Sequence, residues 1–392
     1  MKRRCGSLVA VVTAIFAGCD PSDWRTSVRQ ASDQVVDGYH GAPCESPGTV
    51  VRSDTGTVVI HTETATCTIA FREVVTLRGT EDGTLPRVPV ALGPGGTYLT
   101  ATYNPAEIAF WTAGGEVERL ITKQEGDGPG DLRRVGGLVL DTLGSRLYVL
   151  TAGRRIDVFS LDGTFQHRIS THVVSPNVAA PALLADGSVV MRGTYGKNRP
   201  ILTVARGERV DRVGPAQKYS YPPFVEPGHN GVWSAELLSY EINHHSMPDG
   251  RVDFRLRREV PWFPDGRPED GGMRLDGRVS GVLMDFAVDE SRGLVFAKVQ
   301  TRDPDAPGPW KAMMEEGGPM PQGEELRRQT VIHLDALLEV FTLDGRLIAS
   351  RRYDHKSEAP LPITAHRFYH VDDSGLIPSI QILEPVLVQS PK

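Results

Sequence analysis

The sequence lacks any hydrophobic segment long enough to span a membrane as a mature helix. The longest apolar run, residues 8–18, has eleven residues, whereas a transmembrane helix needs about 20. Heptads and helical apolar stripes are nearly absent, which argues against coiled coils and helical bundles. Aromatic residues make up only 7% of the chain, while 41 glycines and 29 prolines in 392 residues are typical of many short strands joined by turns. The composition predicts an all-β protein.

Motifs of several common enzyme classes are also missing. There is no Gly-x-Ser-x-Gly elbow, no His-Glu-x-x-His and no Cys-x-x-Cys, so nothing supports a serine hydrolase, a zincin or a redox dithiol. The glycine-rich residues 126–130 lack the Lys-Ser/Thr of a P-loop, and Pro129 removes a backbone donor. We interpret residues 126–130 as a connecting loop and predict no catalytic residue.

The N-terminus has the features of an export signal. Three basic residues at positions 2–4 precede the short apolar run. The run ends in Phe16-Ala17-Gly18-Cys19, which is similar to the lipobox of bacterial lipoproteins, where a lipidated cysteine becomes the mature N-terminus. We predict a signal peptide at 1–18, lipidation of Cys19, a polar tether at 19–52 and one globular domain at 53–392. An ordinary signal peptide with an incidental cysteine is the alternative.

The charge of the mature chain restricts its partners. Cleavage before Cys19 leaves 40 basic and 49 acidic residues, a formal charge of −9. Such an acidic chain is poorly suited to nucleic acid, whose binding depends on neutralising phosphates. The expected partners are the membrane, through the lipid anchor, and an envelope protein, a glycan or a small ligand. Whether the protein faces the periplasm or the cell surface is left open, and the domain is expected to be monomeric.

Two cysteines remain beyond the lipidation site. We predict a disulfide between Cys44 and Cys67, because export places them in an oxidising compartment. The bridge would stabilise the fold by roughly 3 kcal/mol on the chain-entropy model. Cys67 also alternates with Ile69 and Phe71 on one face of a strand, so a buried thiol is the alternative.

One short motif occurs three times. Residues 156–163 read Ile-Asp-Val-Phe-Ser-Leu-Asp-Gly, and residues 338–345 repeat them 182 positions later as Leu-Glu-Val-Phe-Thr-Leu-Asp-Gly. A looser copy occupies residues 108–115, where Trp111 takes the position of Phe159. Alternating apolar residues closed by glycine predict a strand that enters a tight hairpin. We expect Trp111 to pack between repeated units.

The spacing of turn glycines predicts the architecture. Glycines that precede an apolar strand recur at Gly56, Gly96, Gly144, Gly187, Gly231, Gly293 and Gly375. Four of the six gaps are 40 to 48 residues, the length of a four-stranded propeller blade. Pairing the strand near Val58 with residues 380–382 and 386–388 would close a six-bladed ring. Seven blades, a sandwich or a solenoid are the alternatives.

A long insertion interrupts the later repeats. Residues 301–329 are rich in proline, glycine and charge, and they account for most of the excess length in the last gap. We expect one short helix, at 323–329.

The repeats resemble a known family. Residues 125–132, 137–141, 146–149 and 156–163 look like the repeat of NHL-type six-bladed propellers, in which a glycine-rich inter-blade loop precedes a strand, a turn and a closing hairpin. The chain also resembles uncharacterised bacterial six-bladed propeller lipoproteins. The resemblance depends on three features: the lipobox-like start, the opening strand that begins with residues 53–56, and the long insertion. The resemblance implies a fold and a location in the cell envelope, but no reaction.

Candidate metal ligands are sparse. His244 and His245 are adjacent, and neighbouring residues on a strand point to opposite faces, so they do not easily share one ion. We predict that both lie in a turn or on the surface. His333 and Asp335 alternate on one strand face, but two ligands without a third make only a weak metal candidate. No metal and no cofactor is predicted.

Aromatic residues in long polar connections are candidate contact residues. Trp262, Phe263 and Trp310 lie in such connections, and exposed aromatic side chains on propeller loops make carbohydrate or protein contacts. The sequence therefore predicts a binding scaffold for a protein, glycan or small ligand. The alternative is a metal-dependent lactonase or esterase like the gluconolactonase-type propellers, with Ca²⁺ held by three or more ligands at the mouth of the channel.

Overall fold

The structure of the chain is a computed structural model. It describes residues 44, 50–52, 56–61, 64–80, 86, 88–103, 106–133, 135–151, 155–171, 181–192, 198–207, 209–217, 224–260, 262–263, 281–302, 334–354, 358–372 and 378–390. Within these ranges the protein is all-β, as predicted, and its one helical element is a single 3-10 turn at Pro94–Gly96. No helix in the described ranges is long and apolar enough to cross a membrane.

Twenty-six strands are described. The first thirteen are β1 Val50–Arg52, β2 Thr57–Ile60, β3 Cys67–Arg78, β4 Val90–Leu92, β5 Tyr98–Tyr103, β6 Ala106–Trp111, β7 Val117–Thr122, β8 Val135–Asp141, β9 Arg146–Thr151, β10 Arg155–Ser160, β11 Phe165–Ser170, β12 Ala182–Leu183 and β13 Val189–Arg192. The others are β14 Pro200–Arg206, β15 Arg209–Ala216, β16 Phe224–Gly228, β17 Gly231–Ala235, β18 Glu241–Ser246, β19 Arg251–Arg258, β20 Val282–Asp289, β21 Leu294–Arg302, β22 Leu334–Thr342, β23 Leu347–Tyr353, β24 Leu361–Thr364, β25 Arg367–Asp372 and β26 Ser379–Gln389.

Most of these strands form four-stranded antiparallel units, numbered here in chain order. Unit 1 is β4–β7, unit 2 is β8–β11, unit 3 is β12–β15, unit 4 is β16–β19, unit 5 is β20–β23, and unit 6 is β24–β26 with β3. The first strands of the units contact one another in cyclic order, including β24 with β4. The described strands therefore form a ring with a β-propeller-like fold.

The core is divided among the contacts between units. Six clusters of buried residues are found in the described ranges, and each lies between two neighbouring units. Trp111, which is fully buried, packs between units 6 and 1, and Phe159 packs between units 1 and 2. No unit buries its apolar faces alone, so stability depends on the neighbours.

The three copies of the hairpin motif form turns as predicted. Gly115, Gly163 and Gly345 have φ of 85°, 90° and 98°, a region that glycine adopts without a steric penalty. In the second copy Gly163 N–H donates to the Ser160 carbonyl at 2.9 Å. A Cβ on Gly163 would lie 2.8 Å from a methyl of Ile121 in unit 1, so glycine is also required for the contact between units.

The strand that completes unit 6 differs from the one predicted. β3 pairs antiparallel with β26 along its whole length, from Cys67 opposite Gln389 to Arg78 opposite Ser379. Val58 instead lies in β2, which pairs in parallel with the outer strand of unit 4. The prediction for Val58 was wrong because both segments carry the alternating pattern of a strand, whereas only β3, with twelve residues, matches the length of β26.

Two further predictions lie partly or wholly outside the described residues. Of the insertion at 301–329, only residues 301 and 302 are described, and they end β21. The helix predicted at 323–329, the signal peptide at 1–18 and most of the tether at 19–52 lie outside the described residues.

Candidate functional site

A cavity of about 280 Å³ lies between units 2 and 3. Unit 2 contributes Asp141 and Arg146, on either side of the β8–β9 turn, and His167 of β11. Unit 3 contributes Asp186 of the β12–β13 turn and Arg206 at the end of β14. The packing of the two units therefore brings five charged or titratable side chains from distant parts of the chain to one opening.

Polar atoms form most of the exposed lining of the cavity, and four apolar residues lie behind them. Tyr148 and Ile169 from unit 2 and Val189 and Ala205 from unit 3 line it, and all four are buried members of the cluster between these units. Because that cluster fixes both units, the wall is formed before any ligand arrives. Ligand sites usually have mainly apolar linings with a few polar groups, whereas polar atoms predominate in this cavity, which favours a polar ligand.

The charged groups of the cavity differ in how they are already engaged. Asp141 Oδ1 accepts the Gly144 N–H at 2.8 Å, and Asp186 Oδ1 accepts the Ser188 N–H at 2.8 Å. Each carboxylate is thus held by its own turn and keeps a second oxygen. The side chain of Arg146, by contrast, has no hydrogen-bond or ion-pair partner among the described residues.

A second polar feature lies on the inner strands of units 4 and 5. Glu226 of β16 and Asp285 of β20 are close enough for their charges to interact, and both are partly buried. Burial, followed by the nearby Asp285 carboxyl, raises the pKa of Glu226 well above its usual range. Burial raises the pKa of Asp285 from 3.8 to about 7, while the Phe286 N–H and Lys298 oppose the shift. Asp285 therefore holds its proton at mildly acidic pH.

The raised pKa of Asp285 predicts a pH dependence of stability. Between pH 3.8 and about 7 the folded protein keeps a proton on Asp285, whereas the unfolded chain loses it. The contribution of Asp285 to the free energy of unfolding therefore falls as pH rises through this window and is constant above it. We expect the decrease in the free energy of unfolding across this window to be smaller in Asp285→Asn than in the wild type, by on the order of 2 to 4 kcal/mol. Urea midpoints at about pH 4.5 and about pH 8 measure the effect.

The control for this experiment is Asp162→Asn. Hydrogen bonds from Ser160 and Thr164 lower the pKa of Asp162 to about 2, so its titration lies below the pH window and the variant should keep the wild-type dependence. Parallel pH profiles for wild type and Asp285→Asn would contradict the assignment.

The glycine-rich loop at 126–131 binds side-chain cations instead of an anion. Buried Arg155 donates to the carbonyl oxygens of residues 126, 127 and 131 at 3.0 to 3.1 Å, and Arg168 donates to the Gly128 carbonyl at 2.6 Å. Both arginines also pair with the fully buried Asp157. The carbonyl oxygens thus face a cation, the opposite of a phosphate cradle, and the segment connects units 1 and 2.

His244 and His245 do not lie in a turn or on the surface, so that prediction was wrong. They lie within β18, 3% and 0% exposed. His245 shares a hydrogen bond of 2.7 Å with Ser234 and one of 3.0 Å with the Gly250 carbonyl, and burial lowers its pKa to about 4. His244 Nδ1 lies 2.6 Å from Asp253 Oδ1. Because Ser234 is also fully buried, this serine–histidine contact is inaccessible to a substrate.

The predicted aromatic contact residues fall into three different situations. Phe263 is 3% exposed and packs in the cluster between units 4 and 5, so its prediction as a surface contact is corrected. Trp262 is 37% exposed and packs against Tyr240 and Phe263 with ring centroids 6.2 and 6.1 Å apart. Trp310 lies outside the described residues, and the contact role of Trp262 stays a prediction.

The remaining predicted site residues are distributed as follows. Cys44 and Cys67 form a disulfide, with S–S 2.09 Å. Asp335 is buried, and its Oδ2 accepts from Arg352 Nε at 2.6 Å. Cys19 and His333 lie outside the described residues. Among the residues that the structure describes, no group of three or more His, Cys, Asp or Glu could hold a metal ion.

Sequence reasoning missed the cavity and the Glu226–Asp285 pair. The turn that contains Asp186 was predicted from Gly187, a glycine that precedes an apolar strand. No sequence signal joins Asp186 to Arg146, which comes from another unit. The Glu226–Asp285 pair had one signal in the sequence: Asp285 is a charged residue among the apolar residues of its strand.

Comparisons with known proteins show similarity of fold only. No protein-family model and no curated protein matches the sequence. A solved structure of a DUF4221 family member from Bacteroides vulgatus is 9% identical, with 82% of this chain and 99% of that chain covered and a TM-score of 0.57. A protein of Bacteroides fragilis that is named as exported is 11% identical, with 85% and 99% covered and a TM-score of 0.52.

Proposed function

We propose that this protein is an exported, lipid-anchored six-bladed β-propeller that acts as a binding scaffold in the bacterial cell envelope. Two observations support the six blades: the first strands of six four-stranded units contact one another in a cycle, and a core cluster lies between each neighbouring pair. A unit built from both ends of the chain removes exposed sheet edges, as in other propellers.

The N-terminal sequence supports the location. A basic start, a short apolar run and the lipobox-like residues 16–19 favour export with lipid attached at Cys19, and one protein of similar fold is named as exported. On this proposal the signal peptide is 1–18, the tether is 19–52 and the propeller is 53–392, the NHL-like repeats being its blades. Its partners are a glycan, a small ligand or an envelope protein, and not nucleic acid.

The cavity between units 2 and 3 is the observation on which the binding function depends. Its volume of about 280 Å³ is just below the roughly 300 to 1,000 Å³ of pockets for drug-sized ligands, which suits a smaller ligand. Charged side chains surround a cavity whose apolar residues belong to the core between units 2 and 3, so binding requires little reorganisation. Such a preformed site is expected in a scaffold that binds without chemical change.

A thermal-shift screen of the purified mature protein tests this function. Sugars, sugar acids, amino acids, dipeptides and nucleotides would be added separately, since a ligand at 100 times its Kd stabilises the folded state by about 2.7 kcal/mol. We expect at least one class to raise the midpoint, and the effect to be lost in Arg146→Ala/Asp186→Asn. Absence of any shift, or a shift that survives in the double variant, would contradict binding at this cavity.

One observation favours the alternative function, a hydrolase. Glu226 and Asp285 place two carboxyl groups on neighbouring inner strands, where a metal-dependent lactonase or esterase would need its ligands. The described residues bring no third ligand to this pair, and a protonated Asp285 is a poor ligand for Ca²⁺. The described residues therefore favour binding over metal-assisted hydrolysis.

A further inference from the structure

We propose that the cavity between units 2 and 3 binds a monosaccharide-sized sugar acid, with Arg146 pairing its carboxylate and Asp141 and Asp186 accepting its hydroxyl hydrogens. This assignment rests on the proposed binding function and specifies its ligand. It joins three observations: an arginine side chain without a described partner, two carboxylates held by their own turns, and a cavity lining in which polar atoms predominate.

The cationic part of the ligand site is Arg146. Its side chain lies at the start of β9, exposed at the rim, and the described residues offer it no carboxylate. Arg206, across the cavity, is only weakly engaged, with Nη1 3.4 Å from Asp211 Oδ2. A planar guanidinium binds a carboxylate through two parallel hydrogen bonds. A ligand carboxylate would supply the acceptor that Arg146 does not have within the described chain.

The acidic part of the site selects for hydroxyl groups. Asp141 and Asp186 are each held through Oδ1 by a backbone N–H group of their own turn, so the two carboxylates lose little conformational freedom when a ligand binds. Ionised carboxylates only accept hydrogen bonds, and the hydroxyls of a sugar are donors. The same two charges repel a dianion such as a phosphate monoester, which favours a ligand with one negative charge.

The lining of the cavity matches a polyhydroxylated ligand. Polar atoms make up most of the surface that the cavity offers to a ligand, whereas the four apolar residues behind them are only 1 to 4% exposed. A sugar acid carries a hydroxyl or carboxylate group on nearly every carbon atom, so it can form hydrogen bonds with such a lining. The volume of about 280 Å³ limits the ligand to roughly one ring, because drug-sized ligands need pockets of about 300 Å³ or more.

Calorimetric titration of the mature protein with glucuronate and with glucose, at matched ionic strength, tests the proposal. We expect glucuronate to bind about tenfold or more tightly than glucose, since a charge-assisted hydrogen bond adds at least this much. Arg146→Ala is expected to remove this preference by lowering the affinity for glucuronate while leaving that for glucose unchanged. Galacturonate and galactose serve as a second matched pair.

The matched control is Arg251→Ala. Arg251 is exposed at the start of β19 in unit 4 and does not line the cavity, so this variant removes the same charge from outside the site. Wild-type preference in Arg251→Ala supports the assignment. Equal losses in both variants, or equal binding of the acid and the neutral sugar, would overturn it.

The outcomes also separate this inference from the proposed function. If other members of the ligand screen bind at the cavity but neither uronate does, the sugar-acid assignment fails while the scaffold function stands. If no ligand of any class binds, both fail. Thermal midpoints of the variants without ligand show whether each is folded, and Arg206→Gln provides a second test of the acid preference if Arg146→Ala is unfolded.

Discussion

Replacing Glu339 by glutamine is expected to lower the free energy of unfolding by about 3 kcal/mol. Glu339, on β22 of unit 5, is 1% exposed and accepts from Arg258 Nη2 at 3.1 Å and from the Tyr240 hydroxyl at 2.5 Å. Arg258 is itself buried, at the end of β19. The substitution leaves this guanidinium charged inside the protein without a counter-charge, and an unpaired buried charge costs more than the pair contributes.

The neighbouring hydroxyl contributes to the size of this effect. Burial, and then the Glu339 carboxylate, raises the pKa of Tyr240 well above its usual range, so Tyr240 remains a donor at any pH used for the experiment. The Tyr240 and Arg258 donors connect unit 4 to unit 5. The stability lost in Glu339→Gln therefore comes from weaker contact between these two units.

Urea unfolding of Glu339→Gln and of Glu384→Gln measures this effect against a control. Glu384 pairs with Arg72 on the surface, where the two side chains are 35% and 67% exposed, and such pairs contribute about 0 to 1 kcal/mol. The two variants remove the same charge from different surroundings. Similar midpoints for both would contradict a buried, charge-compensated contact between units 4 and 5.

Removing the disulfide is expected to have an effect of similar size. The bond between Cys44 and Cys67 spans 23 residues of sequence, and cross-linking a loop of this length stabilises a protein by about 3 kcal/mol on the chain-entropy model. Cys67 is also the first residue of β3, where it pairs with Gln389 and with Ala349. Loss of the bond thus frees the start of the strand that completes unit 6.

Thermal unfolding of Cys44→Ala with and without reductant tests this prediction. We expect the variant to unfold at a lower temperature than the oxidised wild type, and reductant to lower the wild type but not the variant. Cys67→Ala should be less stable still, because Cys67 is buried in the cluster between units 5 and 6 and leaves a cavity there. A wild type that is insensitive to reductant under conditions that reduce the bond would contradict a stabilising role.

The repeated motif explains which parts of the fold the sequence could predict. Its alternation and terminal glycine are local features, so the hairpins were predicted where they occur. The motif also placed Asp157 and Glu339 at equivalent positions. Both are buried against arginines in the structure, which the sequence does not indicate, because those partners are side chains outside the motif.

The spacing of glycines predicted the units for a similar reason, with two exceptions. Gly96, Gly144, Gly187 and Gly293 each lie between the first and second strands of a unit, and Gly231 is the first residue of the second strand of unit 4. Gly56 precedes β2, and the first hairpin of unit 6 turns at residues 365–366 without glycine.

The candidate site could not be predicted, because it depends on contacts between units. The hydrophobic alternation that defines a strand does not specify which turns of neighbouring units face each other. Arg146 and Arg206 are 60 residues apart in sequence and meet only after both units have packed. The closing strand was misassigned for the same reason, since strand pairing between the chain ends has no local signature.

Cross-linking of β3 to β26 tests most directly whether the sheets close into a ring. Thr76 and Gln381 lie opposite each other on these strands, within the distance that a disulfide can bridge. We expect Thr76→Cys/Gln381→Cys to form an internal disulfide on purification from an oxidising compartment, visible by mass after proteolysis, and Val59→Cys/Gln381→Cys to leave both new thiols free, because Val59 lies beside unit 4. A bond in the second variant and none in the first would contradict closure of the ring by β3.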